Sequence, residues 1–186
     1  MSYDIKTLVI VGSAQCGKTS IFNAMYRGYF KHKGFVQGSY FTLNLNSAPN
    51  EPPVNMTIFD TSSLESLFDI RRITYLTANV IVLTFGIDSK ESLRDLEQKW
   101  HPEVKYFCPE DVAVIVVGNK RDLRRDPDDI GTISYSEGLA VAKKLKARAY
   151  LECSALTGEG IVDIFTCAAK ATNTSTVKTT RRCDII

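Results

Sequence analysis

Eight residues constrain this chain more than any other stretch. Gly12-Ser13-Ala14-Gln15-Cys16-Gly17-Lys18-Thr19 follows directly on the apolar run Leu8-Val9-Ile10-Val11 and leads into a helical pattern. A strand, then GxxxxGK[ST], then a helix is the setting of a phosphate-binding loop. The glycines let backbone N–H groups between Gln15 and Ser20 curl around the α- and β-phosphates, and Lys18 reaches the β- and γ-phosphates. The Thr19 hydroxyl ligates Mg²⁺ at a helix N-terminus already favourable to anions. The chain is expected to be α/β and to bind a nucleoside triphosphate at the carboxyl ends of its strands.

With 186 residues, 44% of them hydrophobic and 24% charged, the chain can bury one core and reads as one domain. A net charge of +2 with no basic face argues against a nucleic-acid partner. Met1 to Leu8 carries no leader pattern, and no run approaches the roughly 20 apolar residues of a spanning helix. Cys16, Cys108, Cys153, Cys167 and Cys183 are scattered and lack metal-ligand spacing, as do His32 and His101. Reduced thiols and no structural metal are expected.

Short apolar runs alternate with helical periodicity, the pattern of a mostly parallel sheet with helices on both faces. Strands are predicted near Ile5–Val11, Tyr40–Asn46, Val54–Asp60, Asn79–Phe85, Val112–Val117 and Ala149–Glu152. The fifth has no polar alternation and should be buried on both faces. The second and third are joined by Ser47-Ala-Pro-Asn-Glu-Pro-Pro53 and should form an antiparallel edge. Asp88 with Glu91, and Ser134 with Glu137, fit capping boxes. Residues 1–171 read as the nucleotide-binding domain, and the threonine-rich stretch from Thr172 to Ile186 as a flexible tail.

The base is chosen elsewhere. The fifth strand runs into Gly118-Asn119-Lys120-Arg121-Asp122, and the sixth into Glu152-Cys153-Ser154-Ala155-Leu156. A carboxylate at Asp122 can accept both the ring N–H and the exocyclic amine of guanine, which adenine does not offer together. With these motifs the chain resembles the Ras-superfamily small GTPases, with their P-loop fold, six-stranded sheet, GTP/GDP and Mg²⁺. The resemblance implies that Asn119 and Asp122 contact guanine and that Lys120 lies along the ring and ribose. It also implies that a backbone N–H near Ala155, within Ser154–Leu156, meets the guanine oxygen and that Phe30 closes over the base. Lys99-Trp100-His-Pro-Glu-Val-Lys105, Cys108-Pro109 and Tyr150-Leu-Glu-Cys-Ser-Ala-Leu156 are similar to the Rho/Rac branch. The likeness covers about residues 5 to 171 and the last four. Between Leu123 and Tyr135 stands only a short acidic loop, where Rho proteins insert a helix.

Three positions depart from the family pattern. Where its second switch reads Asp-x-x-Gly-Gln, this chain reads Asp60-Thr61-Ser62-Ser63-Leu64. Leu64 has no polar atom to orient an attacking water, and Ser63 adds a Cβ where a backbone N–H approaches the γ-phosphate. Ala14 puts a methyl where most relatives have glycine, toward the space of an activating arginine. Asp60 is retained to hold Mg²⁺ through a water, beside Thr19. Tight GTP binding with impaired hydrolysis is the expectation, and an ordinary GTPase cycle or a module stabilised by nucleotide are the alternatives. In the first switch, counting from Lys18 places Gln37 where a Mg²⁺-sensing threonine is usual, with Ser39 and Thr42 as substitutes if the loop is shifted. Cys16 reads either as an oxidisable thiol beside the phosphates or as a small buried one, the latter preferred.

The chain ends Cys183-Asp-Ile-Ile186, a C-a-a-X box whose terminal isoleucine favours geranylgeranyl. Lys178, Arg181 and Arg182 add a weak basic patch. One prenyl chain implies reversible association with the cytoplasmic face of a membrane, the plasma membrane favoured, with a cytosolic pool held by a prenyl-binding carrier. Effectors, exchange factors and a monomeric state complete what the resemblance implies, with actin organisation as the process served.

Overall fold

The protein is described from a computed structural model covering residues 5–30, 40–46, 52–126 and 131–172, without the side chains of residues 29 and 30. In chain order the elements are β1 (Lys6–Gly12), α1 (Lys18–Phe30), β2 (Tyr40–Leu45), β3 (Val54–Asp60), α2 (Phe68–Tyr75) and β4 (Val80–Gly86). They continue with α3 (Lys90–Asp95), α4 (His101–Phe107), β5 (Ala113–Asn119), α5 (Tyr135–Lys144), β6 (Ala149–Glu152) and α6 (Ile161–Thr172). The strands make one sheet in the order β2-β3-β1-β4-β5-β6. Only β2 and β3 pair antiparallel; every other neighbour is parallel. This is the expected α/β architecture, antiparallel edge included.

Burial explains the order. All seven residues of β4 are buried, and β5 is buried from its second residue onward, as unbroken apolar runs covered on both faces require. On one face Leu8 and Ile10 join Ile21 and Phe22 of α1 and Phe165 and Ala168 of α6. On the other, Val9 and Val11 meet Leu96, Trp100 and Val104, with Ala142 of α5 beyond. β2 alternates exposed and buried along its length, the mark of a strand covered on one side only.

Several boundaries differ from the sequence reading. β1, β4 and β5 run one or two residues further, to Gly12, Gly86 and Asn119, because their parallel ladders pair Gly12 with Thr84 and Gly86 with Asn119. Glycine's poor strand propensity hides this extension. The cap of α3 is Ser89, whose side chain accepts from the Ser92 N–H; Asp88 is drawn away into an ion pair with Lys120 at 2.8 Å. The Ser134–Glu137 capping box forms as expected. Finally, α6 extends through Thr172, which therefore belongs to the domain and not to the tail. The tail from residue 173 onward, Cys183 included, lies outside the described residues, as does most of the 47–53 connection.

A buried arginine fastens the segment after β3 to the helical rod between β4 and β5. A π-helical turn, Leu96–Trp100, joins α3 to α4, closed by the His101 N–H donating to Leu96 O. One residue, His101, separates its end from Pro102, which lacks the N–H that an unbroken α-helix would use. Arg71, 1% exposed, reaches this rod and pairs with Glu103 through Nε (2.7 Å) and Nη2 (3.1 Å). Its Nη1 donates to Ser62 O (2.7 Å) and Leu64 O (3.3 Å), and its guanidinium lies 5.2 Å from the Trp100 ring centre. The Tyr75 hydroxyl also donates to Glu103, at 2.7 Å. Breaking a buried pair leaves an uncompensated charge, whereas replacing both members by apolar groups need not. Arg71→Met is therefore expected to destabilise by about 3–5 kcal/mol in denaturant unfolding, and adding Glu103→Leu to recover most of that loss.

Candidate nucleotide-binding site

The loop between β1 and α1 sits at the carboxyl edge of the sheet because β1 is its third strand and α1 turns back over one face. At its start the backbones nearly touch: a Cβ on Gly12 would stand 2.1 Å from Thr84 O. At its end Gly17 has φ +92°, and a Cβ there would meet Asn119 Nδ2 at 2.2 Å. That approach serves a staple. Asn119, 1% exposed, donates from Nδ2 to Cys16 O (3.0 Å) and more weakly to Gly17 O, and its Oδ1 accepts from the Ala155 N–H (3.2 Å). Lys18 is buried, and its ammonium donates to Gly12 O (2.8 Å) and Ser13 O (2.9 Å). Burial lowers its pKa, an effect that Cys16 and the Asp60 carboxylate partly oppose.

Ser13 ties this loop to the rod. Its hydroxyl donates to Asp95 Oδ2 (2.5 Å) and accepts from Trp100 Nε1 (2.9 Å). The π turn thus supplies a side chain that touches the loop on one side and the Arg71 guanidinium on the other.

The two expected metal-holding residues meet although 41 positions separate them: Thr19 Oγ1 donates to Asp60 Oδ2 at 2.6 Å. Asp60 Oδ1 is buried without a hydrogen-bond partner among the described residues, and burial pushes the carboxyl pKa up. A hydroxyl, an orphaned carboxylate oxygen and an adjoining phosphate cradle form the hard-oxygen donor set that Mg²⁺ takes, with few protein ligands. Mg²⁺ held there would neutralise charge on the phosphates. Thr61 anchors the strand end by donating to Ile10 O at 2.6 Å.

Between the loop and the β5 and β6 ends lies a cavity of about 710 Å³. Its phosphate end is lined by Gln15, Gly17, Lys18, Thr19 and Ser20, and its far end by Asn119, Lys120, Asp122, Ala155 and Leu156. Asp122 is oriented by Ser154, whose hydroxyl donates to Oδ1 at 2.5 Å. A fixed carboxylate facing a cavity suits a base with two adjacent N–H donors. Cys16 and Ser154 are buried behind the wall. Asn119, expected against the base, has its carboxamide committed to the protein, and the Ala155 N–H donates to it. These bonds hold the phosphate loop and the base loops at one spacing, with Asn119 and Ala155 both lining the cavity. Three lining residues, Asn23, Arg27 and Leu123, escaped the sequence reading. The signal was available for two: Thr19, Asn23 and Arg27 recur every fourth residue along one face of α1.

Ser63 and Leu64 do not line this cavity, and Leu64 is 60% exposed. With Leu67, Ile70, Ile73 and Leu76 it forms an exposed apolar ridge at every third residue. Ala14 is exposed and lines a neighbouring cavity. Thr42 is placed within β2, its hydroxyl bonded to Thr57 Oγ1 (2.8 Å), so it is not available as a substitute in the first switch. Gln37, Ser39 and the side chain of Phe30 lie outside the described residues. Cys16 is the buried thiol of the second reading: it is 2% exposed, and burial pushes its pKa up despite Lys18. No thiolate next to the phosphates is favoured.

Asp60 yields a test with a definite sign. Its folded pKa lies above the unfolded value, so its stability contribution is present below the unfolded pKa and lost as pH rises through the folded one. Without Mg²⁺ or nucleotide, the ionised form of Asp60 is therefore the destabilising one. Asp60→Asn is expected to raise the melting temperature of stripped protein while weakening Mg²⁺-dependent nucleotide retention, and a fall in both would refute the assignment.

A model of the Ras family matches residues 7–174, a span that holds the loop, the Thr19–Asp60 corner, the Asn119 staple, Asp122 and all six strands except the first residue of β1. Members of this family bind GTP and GDP, typically with Mg²⁺, and the donor sets described here fit both. This chain belongs to the Ras family and is a small GTP-binding switch protein.

Proposed function

We propose that the protein is a Rho-like switch at a membrane that binds GTP tightly and hydrolyses it poorly, so that it stands mainly in the GTP form. The observation that carries this reading is a contrast between two sets of residues in the sequence. Lys18, Thr19, Asp60 and Asp122 are the residue types that binding calls for, whereas the positions that would orient water and admit an arginine hold Leu64, Ser63 and Ala14. Most polar groups around Leu64 are engaged: its carbonyl accepts from Arg71, its N–H donates to Ser62 Oγ, and Glu65 is paired with Lys99. A specific feature favours ordinary cycling as the second reading. The half-buried Ser63 hydroxyl makes no hydrogen bond to any described residue and is a polar group next to the missing glutamine.

Among the described residues no helix is long and apolar enough to cross a membrane. Attachment on this reading is through a prenyl group on Cys183, reversible and subject to removal by a carrier protein. Effectors and exchange factors of the Rho kind, acting on actin at the plasma membrane, follow from the likeness around Trp100 and Tyr150.

Single-turnover conversion of bound GTP to GDP decides between the two readings. The native chain is expected to convert negligibly, and Leu64→Gln with Ala14→Gly to accelerate on the order of 10²-fold. Ordinary conversion in the native chain, lost in Ser63→Ala, would establish cycling. Labelled geranylgeranyl donor is expected to enter the native chain and not Cys183→Ser; no incorporation in the native chain would remove the membrane reading.

A further inference from the structure

Gln15 occupies a position where its backbone is disfavoured and its side chain bonds to none of the described residues. Its φ is +61°, left-handed backbone that glycine adopts freely and asparagine tolerates through local hydrogen bonds, but that disfavours a glutamine. The side chain is exposed, and its carboxamide makes no hydrogen bond to any described residue. It stands where two cavities adjoin, the nucleotide cavity of about 710 Å³ and another of about 330 Å³ beyond the loop, and Lys120 lines both. The neighbouring cations are already engaged: the Lys18 ammonium donates to two loop carbonyls, and Lys120 pairs with Asp88. The loop therefore carries one further donor at its rim, neutral and long enough to move. Strained backbone of this kind clusters at ligand clamps and active sites.

We propose that the Gln15 carboxamide is a positioning residue for the bound nucleotide: Nε2–H donates to a phosphate oxygen and slows nucleotide release. This is a side-chain role added to the backbone cradle of the loop. A phosphate is the partner that the neighbours favour, since Gln15 lies between Ala14 and Cys16 in the loop that ends at Lys18 and Thr19. The role concerns retention, so it holds whether or not the chain hydrolyses GTP.

The test uses the full chain loaded with tritiated GDP and Mg²⁺ and chased with unlabelled GDP, the rate of release being read by filter retention. Retention by the native chain reports nucleotide binding separately from the Gln15 effect. Gln15→Glu keeps length and backbone, removes the donor and sets a carboxylate against phosphate; release about tenfold or more faster is expected. Gln15→Gly removes both strain and amide. Its stripped form is expected to melt about 2 °C or more higher, yet its loaded form to release GDP faster. Native release rates in both variants would overturn the proposal. So would fast release confined to Gln15→Gly, which would trace the effect to the backbone. Slower release in Gln15→Glu would also overturn it, since a carboxylate that strengthens binding is accepting from a sugar hydroxyl and not facing a phosphate.

Discussion

One carboxamide sets the geometry on which this site depends. Asn119 ends β5, donates to the phosphate loop and accepts from the loop after β6, so it joins three segments that are far apart in sequence. Without it the spacing of the phosphate cradle and Asp122 would rest on the sheet and on the two loops that leave β1 and β5. Gly17 is the complement: the carboxamide reaches the loop backbone only because no Cβ stands in its way. Being 1% exposed, the staple has no water to replace either bond, so its two ends move together or break at a high desolvation penalty.

A second set of contacts runs behind the phosphates. Ser13 meets Trp100, Trp100 underlies Arg71, and Arg71 holds the carbonyls of Ser62 and Leu64. The phosphate loop and the segment after Asp60 are thereby connected through packed side chains with no nucleotide between them. Leu64 on this reading is more than a lost polar group, because it sits on a backbone that Arg71 constrains.

Much of this was legible in the sequence, and what was not has a physical cause. Unbroken apolar runs reveal buried parallel strands, and the proline-rich connection marks the antiparallel edge. The loop motif, Asp60 and Asp122 are recognisable because phosphate, metal and base each demand a particular residue type. Side chains whose task is to join elements carry no such signature. Arg71 and Glu103 are 32 residues apart, Trp100 and Ser13 are 87 apart, and nothing local says that either pair meets. The cap of α3 shows the same limit: Asp88 and Ser89 both suit the position, and a tertiary ion pair with Lys120 decides between them.

The strand order has a consequence for how the molecule comes into being. β1, which carries the phosphate loop, lies between β3 and β4, and its pairings join residues such as Ile10 with Asp60 and Gly12 with Thr84. These are long-range contacts, paid for in chain entropy before they return any stability, and sheets built from them form slowly. The base-facing carboxylate comes later still, its orientation waiting on Ser154. A chain leaving the ribosome therefore exposes its phosphate loop long before it owns a complete nucleotide pocket. GTP or GDP can act as a folding ligand only near the end of synthesis, when almost the whole domain is present to bind it.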